Sequence, residues 1–236
     1  MKVAILGYGK MGKEIEKISL FRGHEIIYKI DKESQVENIY NADVAINFST
    51  PETAVQNITL GLKSSVPVVS GTTGWLSDLN KIKELSQEKN TSFLYSSNFS
   101  LGVNLFFELN KKLAEIMKKY NQYNLKIEEI HHTQKIDKPS GTAISLAEGI
   151  IENGNYDGWT MDNKKNTINI DSKRIDKVPG THIVNYFSEI DSIEIKHTAN
   201  NRKGFALGAV LAAEWIINKK GIFKMSDVIN DSNFKF

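Results

Sequence analysis

The chain has 236 residues, of which 40% are hydrophobic and 25% are charged, and its net charge at pH 7 is +2. These proportions are ordinary for a globular protein with one or two cores, so they exclude a disordered or fibrous chain. The near-neutral charge, without a basic stripe, makes a nucleic-acid partner unexpected. The sequence contains no cysteine, which excludes disulfides, thiolate metal sites and cysteine nucleophiles and favours a reducing compartment.

No segment has the length and apolarity of a membrane span. The longest apolar run, from Phe205 to Ala213, is much shorter than the about 20 residues that cross a bilayer. The sequence opens directly on the strand-like segment from Lys2 to Leu6, without the pattern of a secretory leader. We therefore expect a cytoplasmic protein with no membrane partner.

The first hundred residues alternate between short apolar strands and amphipathic helices. Strands are predicted at residues 2–6, 25–30, 44–48, 66–70 and 92–95, and helices at residues 10–20, 52–62 and 79–88. Strands that alternate with helices form a parallel sheet with helices packed on its faces. The pattern therefore predicts an α/β domain with a doubly wound parallel sheet.

After Asn98 the pattern changes to that of an α+β domain. Helices are predicted at residues 101–119 and 142–151, and strands at residues 126–130, 166–170, 181–187 and 192–197. The last three strands alternate polar and apolar residues without a long helix between them, which indicates a mixed or antiparallel sheet with one covered face. The helix predicted at residues 205–217 is too apolar for a free surface, so we expect it to pack between the domains or on the first one.

A glycine-rich loop follows the first predicted strand and opens the first helix. Its sequence, Gly7-Tyr-Gly9-Lys-Met-Gly12, matches a dinucleotide-binding fingerprint in the required context. Gly7 permits a tight turn, Gly9 lets the backbone approach a pyrophosphate, and Gly12 lets helix and strand pack closely. Asp31, at the end of the second predicted strand, is placed to bind the adenosine ribose. The alternative is a glycine-rich turn without a ligand.

Two further features bear on the cofactor. Lys32 follows Asp31 directly, and a cation there could neutralise a 2′-phosphate, so both NADH and NADPH remain open. The segment Gly71-Thr-Thr-Gly74 follows the fourth predicted strand, at the sheet edge where ligands of open α/β folds bind. It either borders the nicotinamide or forms a simple turn with Ser77 as a helix cap.

The densest polar segment covers residues 129–142, between a predicted strand and a predicted helix. Ser140 is placed to cap that helix. The amides of Gly141 and Thr142 would then face an anion such as a substrate carboxylate. The segment therefore predicts an anion site in the second domain.

The same segment offers a proton donor beside the anion site. Lys135 adds a cation, and His131 can be protonated near neutral pH. The alternatives are a solvated basic loop and a metal site. We expect no metal, because no ligand spacing supports one. The residues that a metal site would have to gather are His131, His132, Asp137, His182 and His197.

Taken together, these motifs resemble the 4-hydroxy-tetrahydrodipicolinate reductase family, also called dihydrodipicolinate reductases, over nearly the whole chain. The segments that carry the resemblance are residues 7–12, 71–74, 97–104, 129–142, 180–182 and 202–206. The string from His131 to Thr142 is highly specific, whereas the glycine fingerprint is much less so. A short stretch between Arg22 and Asn47 departs from the family pattern, since the loop after the second strand is trimmed.

The resemblance implies a Rossmann-like dinucleotide-binding domain formed by residues 1–99 and 207–236. It also implies that residues 100–206 form a substrate-binding and tetramerisation domain with a mixed sheet. The implied reaction is hydride transfer from NADH or NADPH to the cyclic imine derived from 4-hydroxy-tetrahydrodipicolinate, a small dicarboxylate of diaminopimelate and lysine biosynthesis. This implied reaction releases water. The resemblance also implies that the protein assembles as a homotetramer.

The resemblance also implies roles for individual residues. His131 and Lys135 match the proton-donor pair, and the matching substrate-binding residues are His132, Ser140, Gly141 and Thr142. The matching cofactor-binding residues are Gly7, Gly9, Lys10, Met11, Gly12, Asp31, Gly71, Thr73, Ser97, Asn98 and Phe99. A dinucleotide sensor without turnover, and a reductase of another small keto or imino acid, are the alternatives. The proton donor beside an anion site favours the reductase.

Overall fold

A computed structural model describes residues 1–31, 34, 36–162, 164–201 and 203–234. The chain divides into two compact units, one formed by Met1–Asn104 with Lys203–Phe236 and the other by Leu105–Arg202. The domain boundaries expected from the sequence, after residues 99 and 206, remain predictions. No helix within the described ranges is long and apolar enough to cross a membrane.

The secondary structure follows the predicted order closely. The strands are β1 (Lys2–Leu6), β2 (Glu25–Ile30), β3 (Val44–Asn47), β4 (Val68–Ser70), β5 (Ser92–Tyr95), β6 (Asn124–His131), β7 (Gly158–Thr160), β8 (Thr167–Arg174), β9 (Thr181–Phe187), β10 (Ser192–Thr198) and β11 (Gly221–Phe223). The helices are α1 (Lys10–Phe21), α2 (Pro51–Lys63), α3 (Leu79–Glu88), α4 (Leu101–Met117), α5 (Gly141–Asn153), α6 (Lys203–Ile216) and α7 (Met225–Ile229), with a 3₁₀ turn at Leu76–Asp78.

The first unit contains a six-stranded sheet in the order β11-β5-β4-β3-β1-β2. Every neighbouring pair in it is parallel, which confirms the predicted doubly wound sheet. Its strands are short and apolar because both faces are covered: β3 is buried at every position. Helix α6 packs against α1 and against β3, β4 and β5, so of the two expected placements of this apolar helix the structure shows packing on the first unit.

The second unit contains a five-stranded mixed sheet in the order β10-β9-β6-β8-β7. Strands β6, β7 and β8 are parallel to one another, while β9 runs antiparallel to β6 and β10. Alternate residues of β6 are buried and join side chains of α5 in one core. The predicted mixed sheet with one covered face is confirmed.

Three short elements have no counterpart in the predictions. Strands β7 and β11 have three residues each and α7 has five, which is too short for a period to be recognised. The two strands form because neighbouring strands complete their hydrogen bonds: β7 pairs with β8, and β11 with β5. The alternative of a Ser77 helix cap is wrong, because α3 begins after Asp78 and Ser77 lies inside the 3₁₀ turn.

Candidate active site

The glycine loop after β1 is shaped by close backbone contacts. Gly7 has a φ of +98°, and a Cβ atom there would lie 2.3 Å from the carbonyl oxygen of Phe48. A Cβ atom at Gly12 would lie 2.3 Å from the carbonyl oxygen of Gly7. Around Gly9, by contrast, a Cβ atom would meet nothing within 4 Å. Gly7 and Gly12 therefore pack the loop against the strand and the helix, and Gly9 faces open space.

A cavity of about 910 Å³ adjoins this loop. Helix α1 begins after Gly9, and no side chain within the described residues caps it there. The first amides of a helix lack intrahelical partners and carry the positive end of its dipole, so they form an anion site. The lining residues include Gly7, Tyr8, Gly9, Lys10, Met11 and Asp31. The structure thus brings the glycine loop and Asp31 together at one cavity, with Gly12 packed beneath the loop.

Tyr8 of the glycine loop is held by two charged residues. Its hydroxyl donates to the carboxylate of Glu16, and Nζ of Lys29 lies 2.5 Å from the other oxygen of that carboxylate. Nζ of Lys29 also lies 5.2 Å from the centroid of the Tyr8 ring. Hydrogen bonds from Lys29 and Tyr8 lower the pKa of Glu16. Asp31 lies on the same cavity, while Lys32 falls outside the described residues.

The segment after β4 contacts the cavity through an aromatic ring. A Cβ atom at Gly71 would lie 2.2 Å from a ring carbon of Phe48, and Phe48 itself lines the cavity. Gly71 is therefore small because Phe48 fills the space above it. Thr73 is exposed. Neither Gly71 nor Thr73 lines the cavity directly.

The segment after β5 places its three predicted residues in different environments. Ser97 is exposed, Asn98 is half-buried, and the side chain of Phe99 is in the core. The Phe99 ring packs against Phe48 with a centroid distance of 5.6 Å. Asn98 accepts a hydrogen bond at Oδ1 from the amide of Ser100. The ring of Phe99 thus belongs to the apolar core, so any contact of Phe99 with a cofactor has to involve its backbone.

A buried asparagine ties the carboxyl ends of β3 and β4 together. Asn47 donates from Nδ2 to the hydroxyls of Ser70 and Thr72, at 3.0 and 3.3 Å, and accepts at Oδ1 from Ser49 Oγ at 2.9 Å. Thr72 Oγ1 also accepts from the backbone amide of Ser49 at 2.8 Å. These bonds hold the loops that follow both strands. This network was not predicted from the sequence, although a polar residue that ends a buried apolar strand is a usable signal.

In the second unit, Ser140 caps helix α5 as predicted. Its Oγ accepts a hydrogen bond from the backbone amide of Ala143 at 3.2 Å. The helix begins at Gly141, where a Cβ atom would meet nothing within 4 Å. Thr142 follows and is half-buried. The first amides of α5 are therefore available for an anion on the open side of Gly141.

A fully buried carboxylate lies beneath this helix start. Oε1 of Glu129 accepts from the backbone amide of Ser140 and from Nη2 of Arg174, both at 3.1 Å. Oε2 of Glu129 lies 2.9 Å from Nδ1 of His131. Burial by itself would raise the pKa of Glu129, but the hydrogen bonds from Ser140 and Arg174, together with the nearby polar groups of His131 and Ser172, outweigh it and hold that pKa well below its usual range. Glu129 is therefore an anion at neutral pH.

A second histidine, His182, lies beside His131. The centroids of the two rings are 5.0 Å apart, and the ring planes are inclined to each other by 70°. Nε2 of His182 lies 3.1 Å from Oγ of Ser140 and 3.9 Å from Oε2 of Glu129. Burial, with a smaller contribution from the neighbouring His131, lowers the pKa of His182 to about 3. His182 is therefore neutral, and it supports the residue that caps α5.

Glu129, His131 and His182 have potential metal-ligand atoms within 4.8 Å of one another. Some atoms of this donor set already have polar partners, whereas Oε2 of Glu129 and Nδ1 of His131 have no hydrogen-bond partner within the described residues. Oε1 of Glu129 accepts a hydrogen bond from the guanidinium of Arg174, and Nε2 of His182 is hydrogen-bonded to Oγ of Ser140. A second cation so near the positive charge of Arg174 would be repelled. The charge of Arg174 favours a hydrogen-bonded charge network at this cluster, and the expectation that the protein binds no metal stays a prediction.

Lys135 and His132 lie on the loop between β6 and α5. Nζ of Lys135 donates to Oδ1 of Asp137 at 2.8 Å, and 23% of the Lys135 side chain is exposed. His132 is half-buried, and its Nδ1 has no hydrogen-bond partner within the described part of the chain. The loop thus presents an ammonium group and an imidazole close to the start of α5.

Sequence reasoning assigned no role to Glu129 or Arg174 and considered His182 only as a metal ligand. Two signals were present. Glu129 occupies a position of β6 that faces the core, in alternation with Leu125 and Ile127, and a carboxylate there needs buried partners. Arg174 is one of three arginines among thirty basic residues.

Comparisons with known proteins agree with the resemblance. Residues 1–99 match the family model for the N-terminus of dihydrodipicolinate reductase, and residues 102–229 match the model for its C-terminus. A 4-hydroxy-tetrahydrodipicolinate reductase of Christiangramia forsetii is 54% identical over 235 residues, covering 98% of both chains. That of Thermosipho africanus is 36% identical over 234 residues, covering 98% of this chain and 99% of the relative.

A solved structure is similar in fold. It is the dipicolinate-bound dihydrodipicolinate reductase from Paenisporosarcina sp. TG-14, with a TM-score of 0.77 and 23% identity over 96% of this chain and 98% of that chain. At this identity the likeness concerns the fold alone. The two matching family models and the full-length relatives carry the assignment, and the chain belongs to the dihydrodipicolinate reductase family.

Proposed function

We propose that this protein reduces 4-hydroxy-tetrahydrodipicolinate to tetrahydrodipicolinate, with loss of water, in diaminopimelate and lysine biosynthesis. NADH or NADPH supplies the hydride. The observation that carries this proposal is the 54% identity to a curated reductase over nearly the whole of both chains. The arrangement of residues 129–142 supports it, because this one segment carries a histidine at the end of β6, a lysine on the following loop and the capped start of α5.

The cofactor-binding role belongs to the first unit. Gly7, Gly9 and Gly12 shape the pyrophosphate loop, Lys10 and Met11 begin the helix above it, and Asp31 binds the adenosine ribose. The cavity beside the loop supports this assignment. We place the nicotinamide next to Gly71, Thr73, Ser97, Asn98 and Phe99, with Phe99 contributing its backbone because its ring is in the core. The dinucleotide-binding domain then consists of residues 1–99 and 207–236.

The substrate-binding role belongs to residues 100–206. One carboxylate of the substrate binds the first amides of α5, at Gly141 and Thr142, beside the hydroxyl of Ser140. The open space at Gly141 supports this placement, since an anion can approach the backbone there. His132 supplies a further contact to a carboxylate. A dicarboxylate needs two such positions, and Lys135 contributes positive charge between them.

His131 and Lys135 are the proton-donor pair. Addition of a hydride to an unsaturated carbon leaves an electron pair that must take up a proton, and a positioned acid provides it. Lys135 is held by Asp137 in this structure. A substrate carboxylate would compete with Asp137 for the ammonium group and so draw Lys135 toward the substrate. No metal takes part in this scheme.

We further propose a cytoplasmic homotetramer that assembles through the second unit. On its sheet, Ile130, Ile183 and Phe187 lie on the face opposite the helix-covered core, by their register in β6 and β9. Half-buried or exposed apolar side chains on such a face are typical of protein contacts. Light scattering after gel filtration tests this proposal: the mass of four chains supports it, and that of one chain contradicts it.

The decisive experiment couples the protein to a synthase that makes the substrate from pyruvate and aspartate semialdehyde. NADH and NADPH are tested separately, and their oxidation is followed by absorbance. Oxidation that depends on the synthase supports both the reaction and the cofactor. If both cofactors bind but neither is oxidised, the proposed reaction is wrong.

A further inference from the structure

Arg174 connects three parts of the candidate substrate site through one guanidinium group. Nη2 donates to Oε1 of Glu129 at 3.1 Å and to the carbonyl oxygen of Asp137 at 2.5 Å. Nε lies 3.3 Å from the carbonyl oxygen of Lys135, as a donor. The side chain is 14% exposed, and in the sheet Arg174 lies opposite His131. The guanidinium therefore holds the backbone of the loop on which Lys135 lies.

Glu129 makes the second half of this arrangement. Its Oε1 accepts from Arg174, while its Oε2 lies 2.9 Å from Nδ1 of His131. Neither Oε2 nor Nδ1 has a well-aligned hydrogen-bond partner in the described part of the chain, so a small rotation of the ring would close the bond between them. Catalytic hydrogen bonds are often this loose before substrate binds. A carboxylate at this place favours a proton on Nδ1 and leaves Nε2 for exchange with substrate.

We propose that Arg174 and Glu129 form a positioning pair that serves both members of the proton-donor pair. Glu129 selects the tautomer and orientation of His131, and Arg174 fixes the backbone on either side of Ile136 and so the place of Lys135. The guanidinium takes part in both roles, because it holds the backbone beside Lys135 and also neutralises the charge of Glu129. Lysine cannot replace it, since an ammonium group lacks the planar fork that reaches three oxygens. The inference rests on the proposed function.

The first test uses Arg174→Ala with Arg22→Ala as its matched control. Arg22 also pairs with a half-buried carboxylate, that of Glu214, but in the first unit. We expect Arg174→Ala to lower kcat by about 10²-fold, the typical cost of a misplaced proton donor, while NADH affinity stays unchanged. Added guanidinium restores part of that kcat. Arg22→Ala lowers the melting temperature but leaves kcat unchanged and does not respond to guanidinium.

Arg174→Lys guards against a variant that fails to fold. It retains the charge beside Glu129 but has one donor group, so we expect a folded protein with kcat lowered by about tenfold. Wild-type kcat in either Arg174 variant would overturn the role of Arg174. The role would also be overturned if added guanidinium failed to restore the kcat of Arg174→Ala and the loss of kcat were explained by a lowered melting temperature.

The second test follows the tautomer of His131 by ¹⁵N NMR and needs no turnover. In the wild-type protein we expect the proton on Nδ1, with the signal assigned through its loss in His131→Gln. In Glu129→Gln, whose side chain is isosteric, we expect a shift toward the Nε2 tautomer. The same tautomer in both proteins would overturn the role of Glu129. If the wild-type protein oxidises neither cofactor, the proposed function is wrong, and the NMR result still decides on the positioning of His131.

Discussion

At the scale of single residues, arginine is rare, and the two arginines that the structure describes both pair with a carboxylate. Only Arg22, Arg174 and Arg202 are arginines, and Arg202 lies outside the described residues. Arg22 donates two hydrogen bonds to the carboxylate of Glu214, at 2.7 and 2.8 Å, and Arg174 pairs with Glu129. A planar fork suits a buried carboxylate better than an ammonium group does. In a lysine-rich chain, a rare arginine thus marks a position where geometry matters.

Lys135 is the residue whose loss should affect chemistry most directly. Lys135→Ala is expected to lower turnover by about 10²–10⁴-fold, the span for a lost general acid or its positioning partner. Affinity for the reduced cofactor, measured by its fluorescence, should stay nearly unchanged. Lys138→Ala is the control, because Lys138 is exposed on the same loop. Wild-type turnover in Lys135→Ala would show that this ammonium group has no part in the reaction.

His182 predicts a specific dependence of stability on pH. Its pKa in the folded protein is lowered to about 3, whereas an unfolded histidine titrates near pH 6.5. Between these pH values the unfolded chain binds one more proton than the folded protein does. The free energy of unfolding therefore falls as the pH falls, by about 1.4 kcal/mol per pH unit. Below about pH 3 this contribution is constant. Urea denaturation at several pH values should therefore show a free energy of unfolding that depends more steeply on pH in the wild type than in His182→Gln. The same pH dependence in both proteins would contradict the lowered pKa of His182.

At the scale of elements, local signals predicted most of the fold. Strands β1, β2, β5 and β9 and helix α3 have the predicted bounds, because a continuous period of apolar residues reports which face is buried. The bounds of the other predicted elements differ by a few residues. The Ser140 cap was also recognisable, since a serine before a helical period accepts from the amide three residues later. Elements without a period, such as β11, were not.

The junction of β1 and α1 separates two roles of glycine. Gly12→Ala should lower the free energy of unfolding by about 1–3 kcal/mol, because its Cβ atom has no room beside the carbonyl of Gly7 and the backbone must move. Gly9→Ala should leave that free energy unchanged, since the position is open. It should instead weaken cofactor binding by about tenfold or more, because the methyl group occupies the space of the pyrophosphate. Urea denaturation and cofactor titration check the two variants, and a destabilised Gly9→Ala protein would contradict this division.

At the scale of the whole molecule, an ion pair joins the two ends of the chain within the first unit. Arg22 follows α1, and Glu214 lies on α6, with His24 Nε2 also 2.7 Å from its Oε1. Helix α6 is otherwise almost entirely apolar and buried. Burial by itself would raise the pKa of Glu214, but hydrogen bonds from Arg22 and His24 outweigh this effect and lower that pKa. The pair therefore gives the returning helix a polar contact that fixes its register on α1.

Loss of this pair should cost stability. We expect Arg22→Ala to lower the free energy of unfolding by about 1–3 kcal/mol, below the cost of breaking a fully buried pair because Arg22 is 29% exposed. Lys17→Ala is the control, since its pair with Glu14 is on the surface, and it should change stability by less than about 0.5 kcal/mol. Equal losses in the two variants would show that the Arg22 pair is not special.

The sequence alone determined the two-part architecture, the order of the main elements and the segments that carry the candidate chemistry. These features are local, since each period, cap or loop motif spans no more than about 15 consecutive residues. The tertiary structure alone decided which side chains meet. Glu129 and Arg174 are far apart in sequence, and they come together only because β6 and β8 pair in parallel. The same pairing places Arg174 opposite His131, a contact set by register rather than by any local pattern.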